Sequence, residues 1–315
     1  MPKIITITLN TAIDNIIEIG DFKIGAVVKA KSYLVQSGKG INVSRTVASL
    51  NNLTLSLGFV GEKEHDFFNQ LESPSLRIDL HNVDGSTRTN VTILDSKHNL
   101  IIHTRSSGYS LNNTHISYIL EKLKAILEKG DIVAISGSVP NKGVTKAYPK
   151  IIKLCHDRGI RVILDSNGPA LFEGIKAKPF VVKPNIEELE SLTSSALKTE
   201  AQIVFAAKSI NDLGVEYVFV SIGDKGIIVS KRDTPGYWKV YIADSLSNFS
   251  GMEIGCGDAM VGAISVGLLN NLDNEHLIRI AIGCATANLY AKVPGKISKV
   301  LSKKFSNRAI VKYMN

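Results

Sequence analysis

The chain has 315 residues, of which 44% are hydrophobic and 21% charged, as expected of a globular protein with one domain over 1–315 and a small appendage. It has no apolar run near the ~20 residues of a membrane helix and no signal-peptide pattern, so we expect a cytoplasmic protein without a membrane partner. The net charge is +8, but no stretch interleaves basic and aromatic residues, which argues against a nucleic-acid partner.

Short β-rich runs alternate with segments of helical periodicity along most of the chain. Near-continuous apolar strands separated by helices are typical of a parallel sheet that is covered on both faces. The sequence therefore predicts an α/β fold, a three-layer α/β/α domain with a mainly parallel central sheet. The expected strands are 4–9, 55–61, 131–136, 161–166, 180–185 and 217–223, and the expected helices include 41–50, 144–158 and 199–213.

Two segments, 12–35 and 86–105, break this alternation. Each segment has the period-2 pattern of strands and contains no helix between its own strands. Asp95 to His98 supplies a hairpin turn in the second segment. We expect a small antiparallel sheet that stands off the core as a lid. Because such a sheet exposes one face, we also expect it to pair with a second copy of the chain in a homodimer.

The segment Gly255-Cys256-Gly257-Asp258 precedes an apolar helical stretch. Glycines allow close approach of an anion, and a helix N-terminus presents free N–H groups and a partial positive charge. Asp258 in the first turn would face the anion, where a carboxylate makes sense as a general base for a hydroxyl during phosphoryl transfer. The alternative is a glycine-rich turn in which Asp258 only stabilises the helix.

A second glycine-rich segment, Ser37 to Asn42, also opens a helix. It matches neither the Walker A loop nor the G-x-G-x-x-G fingerprint, which weakens the case for a dinucleotide-dependent oxidoreductase. The segment either holds a hydroxyl-rich or phosphorylated ligand through backbone N–H groups, Lys39 and Asn42, or is an ordinary helix start with polar surface residues.

Together these segments resemble the two signatures of the PfkB (ribokinase-like) carbohydrate kinases. The opening TLNTAID is similar to the start of the branch that contains 1-phosphofructokinases and tagatose-6-phosphate kinases. The resemblance is collinear over nearly the whole chain, and residues 12–35 and 86–105 match the β-lid of that family. The matching segments are SGKGINVSR, TRTNV, GSVP, LDSNGPAL, KPNIEEL, SIGDKG, GCGDAMVGAI and AIGCATAN.

The resemblance implies roles for individual residues. Asp258 would be the catalytic base, with the N–H groups of Gly255, Cys256 and Gly257 as its anion hole. ATP would contact Lys183, Asn185, Glu188, Ser221, Gly223, Gly226 and Asn288, with Asn185 and Glu188 placing Mg²⁺ through water. The sugar phosphate would contact Asp14, Gly38, Lys39, Asn42, Arg88, Asn90, Arg105 and Ser138, with Arg88 on the phosphate.

The sequence departs from the family pattern at several positions. Met252 and Glu253 stand where Asn or Asp and then Thr or Ser are usual, and Cys256 replaces Ala. The acidic lid element appears as His103, Arg105, Gly108 and Tyr109.

The resemblance implies phosphorylation of fructose 1-phosphate by ATP. Tagatose-6-phosphate kinase is the alternative within the same chemistry. A non-catalytic regulatory protein that binds nucleotides or sugar phosphates is the alternative of another class.

Overall fold

Strands and helices alternate through most of the computed structural model, which describes residues 2–22, 24–95, 97–98, 100–242 and 254–315. The strands are β1 (Ile4–Thr8), β2 (Ala12–Ile19), β3 (Ala30–Ser37), β4 (Thr54–Gly61), β5 (Leu76–Val83), β6 (Arg88–Asp95), β7 (Leu100–Arg105), β8 (Ile132–Ser136), β9 (Arg161–Asp165), β10 (Val181–Val182), β11 (Tyr217–Ser221), β12 (Ile227–Lys231), β13 (Tyr237–Ile242) and β14 (Ala309–Met314). The helices are α1 (Lys39–Ser49), α2 (His65–Asn69), α3 (Asn113–Ile126), α4 (Ala147–His156), α5 (Gly168–Lys176), α6 (Ile186–Thr193), α7 (Glu200–Asp212), α8 (Cys256–Leu269), α9 (Asn274–Asn288) and α10 (Lys299–Arg308).

The larger sheet of the described residues has ten strands in the order β14-β13-β12-β11-β10-β9-β8-β1-β4-β5. Neighbouring strands are parallel from β5 to β11, and β12, β13 and β14 then continue the sheet in antiparallel pairs. Every residue of β1 and β8 is buried, because helices cover both faces. One face packs on α3, α4, α5 and α7, and the other on α1, α8 and α9. The predicted three-layer α/β fold is confirmed.

The expected strands agree with the structure to within a few residues at their ends. The largest difference is the run predicted at 180–185, where only Val181 and Val182 form a strand. Pro184 has no N–H to donate to a ladder, and Asn185 already caps α6. The strand therefore ends early, and its terminal polar residues are placed at the sheet edge.

The lid is a four-stranded sheet with the order β3-β2-β6-β7. The β2–β3 and β6–β7 hairpins are antiparallel as predicted, whereas the central pair β2–β6 is parallel, with Ala12 opposite Arg88. The two central strands run the same way because β2 follows β1 and β6 follows β5, and both β1 and β5 belong to the parallel part of the core sheet. The lid thus leaves the core at one edge, beside the carboxyl ends of its strands.

The basic residues spaced through the C-terminal segment, from Lys296 to Lys312, are all exposed. The three cysteines all lie in described residues and form no disulfide. Among the described helices, none is both long and apolar enough to cross a bilayer.

Candidate active site

A cavity of about 760 Å³ lies between the lid and the carboxyl ends of the core strands. This is where ligands bind in open α/β sheets. Every residue that the sequence indicated as a ligand contact lines this cavity, with the exception of Asn288. The structure therefore brings together residues from Asp14 to Leu289, which lie far apart in the sequence.

The end of the cavity that the sequence predicts to bind an anion is formed by the start of α8. Gly255 is the N-cap of this helix and has φ 87°, which favours glycine, and a Cβ there would lie 2.7 Å from the Cβ of Pro294. A Cβ on Gly257 would lie 3.2 Å from Lys183 Nζ, so this ammonium group stands next to the same turn. The N–H groups at the start of α8, the helix dipole and a lysine thus converge on one point.

Asp258 lies in the first turn of α8 and is 6% exposed. Its Oδ2 accepts a hydrogen bond of 2.8 Å from Asn42 Nδ2. Burial raises the pKa of Asp258 to about 6, with a further upward contribution from Asp165, against the opposing effects of Lys39, Asn42 and Lys183. A carboxylate with this pKa is ionised at neutral pH and is a stronger base than an exposed aspartate.

Asp165, at the end of β9, connects the two lysines of the cavity floor. It is fully buried, and its Oδ1 lies 3.2 Å from Lys39 Nζ and 3.4 Å from Lys183 Nζ. Burial alone would raise the pKa of Asp165, but Lys183 and Lys39 outweigh it and lower the pKa. Asp165 was not singled out from the sequence. Its position at the carboxyl end of a buried strand, in the segment LDSNGPAL, was the available signal.

Asn185 and Glu188 form the capping box that starts α6. Glu188 N donates to Asn185 Oδ1 over 2.7 Å, and Asn185 N donates to Glu188 Oε2 over 3.0 Å. The other carboxylate oxygen, Oε1, lies 3.7 Å from Lys39 Nζ. No group of three or more His, Cys, Asp or Glu able to hold a metal occurs in the described part of the chain. One amide and one carboxylate suit Mg²⁺ that keeps most of its water ligands.

The far end of the cavity has a polar loop on one side and apolar walls on the other. Ser221, Gly223 and Gly226 supply the loop after β11, as predicted. The walls are apolar residues that the sequence analysis did not identify, namely Ile242, Ile254, Ile282, Ala285 and Leu289. A slot of this kind fits a flat, largely apolar ring such as a nucleotide base.

Asn288 was predicted as a nucleotide contact. It is 1% exposed and does not itself line the cavity, but its Nδ2 lies 3.6 Å from Sγ of the cavity residue Cys256. Its Nδ2 donates to Ile254 O over 2.9 Å, and its Oδ1 accepts from Gly295 N over 2.8 Å. The side chain therefore holds the loop before α8 against the chain that follows α9. Its neighbours on the cavity side of α9 are Ala285, Thr286 and Leu289.

The lid end of the cavity is built from the lid and the start of α1. Asp14 is 8% exposed, and its Oδ1 accepts from Asn90 Nδ2 over 2.7 Å across the parallel pair β2–β6. Gly38, the N-cap of α1, has φ 121°, and a Cβ there would lie 2.9 Å from Thr8 Cγ2. Ser138 accepts from Asn10 Nδ2 over 3.1 Å. These groups surround the cavity with hydroxyl and amide partners.

Two arginines lie at this lid end of the cavity. Arg88 is half-buried, and its Nε and Nη2 donate to the carbonyl oxygens of Thr11 and Asn10 over 3.3 and 3.2 Å. Arg105 is exposed at the end of β7, opposite Asn90 in the lid ladder. Burial lowers the pKa of Arg88, and the nearby charge of Arg105 adds to this effect. The two guanidinium groups therefore form a cationic end to the cavity.

The departures from the family pattern fall in different surroundings. Met252 and Glu253 lie outside the described residues. In the lid, His103 Nδ1 and the Thr92 hydroxyl are 3.0 Å apart. Tyr109 is not a cavity residue: it is 3% exposed, and its hydroxyl donates to the carbonyl oxygens of Leu9 and Phe59 over 3.1 and 2.9 Å. The residue that looked like a change of the ligand site is thus a core residue that packs under it.

Comparisons with known proteins agree with this geometry. The model of the "pfkB family carbohydrate kinase" matches residues 24–300. A 1-phosphofructokinase of Bacillus subtilis is 29% identical over 93% of this chain and 94% of its own length. A 1-phosphofructokinase of Haemophilus influenzae is 30% identical over 89% of each chain. The solved structure of phosphofructokinase-2 from Escherichia coli superposes with a TM-score of 0.88 at 24% identity, covering 98% of this chain and 99% of that one.

Proposed function

Because the chain belongs to the pfkB family of carbohydrate kinases and is a sugar-phosphate kinase, we propose that it phosphorylates fructose 1-phosphate with ATP to give fructose 1,6-bisphosphate and ADP. The observation that carries this proposal is a single cavity in which a buried carboxylate, Asp258, lies between the anion-binding start of α8 and a cationic sugar end. The similarity to 1-phosphofructokinases over about nine tenths of the chain supports the choice of substrate.

In the proposed mechanism, Asp258 accepts the proton of the attacking sugar hydroxyl while the γ-phosphoryl group is transferred. The N–H groups at the start of α8 stabilise the negative charge that develops on the phosphoryl oxygens. Lys183, beside Gly257, adds a cation at this point. Asn185 and Glu188 would hold hydrated Mg²⁺, which when bound neutralises the charge of the ATP phosphates. The apolar slot formed by α9 and its surroundings would hold the adenine.

At the sugar end, Asp14 and Asn90 are proposed to bind sugar hydroxyls, and Arg88 to bind the phosphate that the substrate already carries. A guanidinium group can pair with two phosphate oxygens, which suits this task better than an ammonium group does. Arg105 would add a second cation from the lid. This cationic end favours a phosphorylated sugar over a free sugar.

We also propose that two chains associate through their lids. On the lid face opposite to Asp14 and Asn90, Leu34 is 57% exposed, Leu100 41% and Ile102 37%. Large apolar side chains exposed on one face of a sheet are typical of an interface. A reducing cytoplasmic location is proposed because the three cysteines form no disulfide.

The proposal is tested by measuring ADP release with MgATP against fructose 1-phosphate, tagatose 6-phosphate, fructose 6-phosphate and free fructose. We expect the highest kcat/KM with fructose 1-phosphate. A clear preference for tagatose 6-phosphate would replace the substrate and keep the chemistry. Binding of ATP and sugar phosphates in calorimetry without any ADP release would favour the non-catalytic regulatory alternative and refute the proposed activity.

A further inference from the structure

We propose that Arg45 is a positioning residue that fixes the orientation of the Asn42 side-chain amide, so that its N–H, and not its oxygen, faces the catalytic base Asp258. This inference rests on the proposed function of Asp258. It concerns a residue that follows the glycine-rich segment on α1 and lies outside the cavity lining.

Arg45 is buried, with 7% of its surface exposed. Its Nη1 donates to Asn42 Oδ1 over 2.9 Å and to Pro294 O over 3.5 Å, and its Nη2 donates to Gln36 O. Asn42, one turn earlier on the same helix, is 4% exposed, and its Nδ2 donates to Asp258 Oδ2 over 2.8 Å. The bonds form a chain from guanidinium to amide to carboxylate.

The direction of this chain follows from what each group can do. Arginine has only donors, so the Asn42 atom that faces Nη1 must be the oxygen. Its NH₂ group is then forced toward Asp258, where it meets an acceptor. If the amide turned by half a rotation, Asn42 Oδ1 would face the carboxylate, and that contact is favourable only when Asp258 carries a proton. A wrongly turned amide would therefore keep the base protonated and inactive.

The other charges around Asp258 come from separate elements. Lys39 lies on α1, Asp165 follows β9, and Lys183 follows β10. None of them hydrogen-bonds to Arg45 among the described contacts. The charge that faces Arg45 itself is Asp14, while burial lowers the pKa of Arg45 to about 10. Arg45 thus stays protonated throughout the neutral range and remains donor-only.

The test is the pH dependence of kcat/KM in Arg45→Gln. Glutamine offers both a donor and an acceptor, so it no longer dictates which way Asn42 points. In the wild type we expect the acid limb of the kcat/KM pH profile near pH 6. In Arg45→Gln it should move up by about one pH unit, which corresponds to the free energy of about one ordinary hydrogen bond. At pH 6.5 this lowers kcat/KM about threefold, and by pH 8.5 the loss disappears. Arg45→Lys keeps a donor-only side chain and should retain the wild-type limb.

The matched control is Arg161→Gln. Arg161 also donates to an asparagine oxygen, Asn271 Oδ1, over 3.1 Å and to Leu268 O over 2.9 Å, but at the opposite end of the sheet. It should lower thermal stability without moving the limb. Arg45→Met removes all donors at similar length and serves if Arg45→Gln does not fold. In Asn42→Ala, substitution of Arg45 should cause no further shift, because the amide that it orients is gone.

The outcomes separate the two proposals. A soluble Arg45→Gln or Arg45→Met variant whose limb stays at the wild-type position, with a stability loss like that of Arg161→Gln, would overturn the positioning role. A limb shift that is just as large in Arg45→Lys would also overturn it, since a donor is still present. A wild-type protein that releases no ADP with any ketose phosphate refutes the proposed function instead.

Discussion

Replacement of Asp258 by Asn is expected to remove catalysis while leaving the cavity intact. The amide has nearly the same size and can still accept the hydrogen bond of 2.8 Å from Asn42. Loss of a general base lowers kcat by about 10² to 10⁴. This corresponds to about 3 to 5 kcal/mol in activation free energy. ATP affinity should change little, because the N–H groups of α8 and Lys183 remain.

The same substitution is expected to stabilise the fold at neutral pH. The pKa of Asp258 is raised from 3.8 to about 6, so ionisation is less favourable in the folded than in the unfolded chain. The stabilising contribution of protonated Asp258 is fully present below pH 4 and is lost as the pH rises through 6. The loss is on the order of 3 kcal/mol in the free energy of unfolding. Asn cannot ionise, so the variant should be more stable than the wild type above pH 6, and the difference should vanish near pH 4.

Three measurements test this reasoning: ADP release, ATP binding by calorimetry, and thermal unfolding at pH 4 and pH 8. Asp224→Asn is the matched control, because Asp224 lines the same cavity but is exposed. It should retain turnover and show no gain in stability. An Asp258→Asn variant with near wild-type turnover would mean that Asp258 is not the base. If Asp258→Asn has a lower Tm than the wild type at pH 8, then the folded protein stabilises the ionised Asp258 carboxylate and burial does not make its ionisation unfavourable.

Three further predictions concern the ends of the cavity. Arg88→Ala should raise KM for the sugar phosphate at least tenfold and leave KM for ATP unchanged. Arg88→Lys should restore only part of the lost affinity. An unchanged sugar KM would mean that Arg88 does not bind the phosphate. Arg105→Gln should raise the sugar KM by a smaller factor and reduce its salt dependence, and wild-type values for both would leave Arg105 as a surface residue. Alkylation of Cys256 should inactivate the enzyme, and bound MgATP should protect Cys256 from alkylation. Cys256 is partly exposed in the cavity, and its Sγ lies 3.6 Å from the Asn288 amide nitrogen. Burial raises the pKa of Cys155 and Cys284 to about 12, so these thiols should react slowly. Label found on them by mass spectrometry, or a Cys256→Ala variant that is equally sensitive to alkylation, would contradict the role of Cys256.

The fold was predictable where the hydrophobic pattern has one explanation. Buried parallel strands such as β8 are apolar throughout, and the lid segments alternate, so both classes are visible in the sequence. The direction of β2 relative to β6 was not predictable from either segment, because it depends on where the preceding core strands end. The antiparallel strands β12, β13 and β14 were also not predicted, and of these only β14 is far in sequence from its partner, β13.

The candidate site was predictable only for residues that belong to recognisable segments. Asp258 was singled out because a glycine-rich turn precedes it at a helix start, whereas Lys183 and Arg88 were assigned through the resemblance to the family. Arg45 was missed although its segment was noted, because its proposed role depends on the Asn42 amide, which connects it to a residue far away in the sequence, Asp258. Asn288 was placed in the nucleotide site because its helix flanks that site, and the sequence does not specify which face of α9 carries it.

Asp165 and Asp258 have opposite pKa shifts although their surroundings are similar. Both are buried aspartates near the same two lysines, yet the pKa of Asp165 is lowered and that of Asp258 is raised. Asp165 lies within ion-pair distance of both ammonium groups, whereas the bond that Asp258 accepts comes from the neutral amide of Asn42. Because the lysines neutralise Asp165, they are held away from direct contact with Asp258, which therefore keeps the basicity that burial confers. The division of labour between the two carboxylates is a consequence of which one the lysines reach.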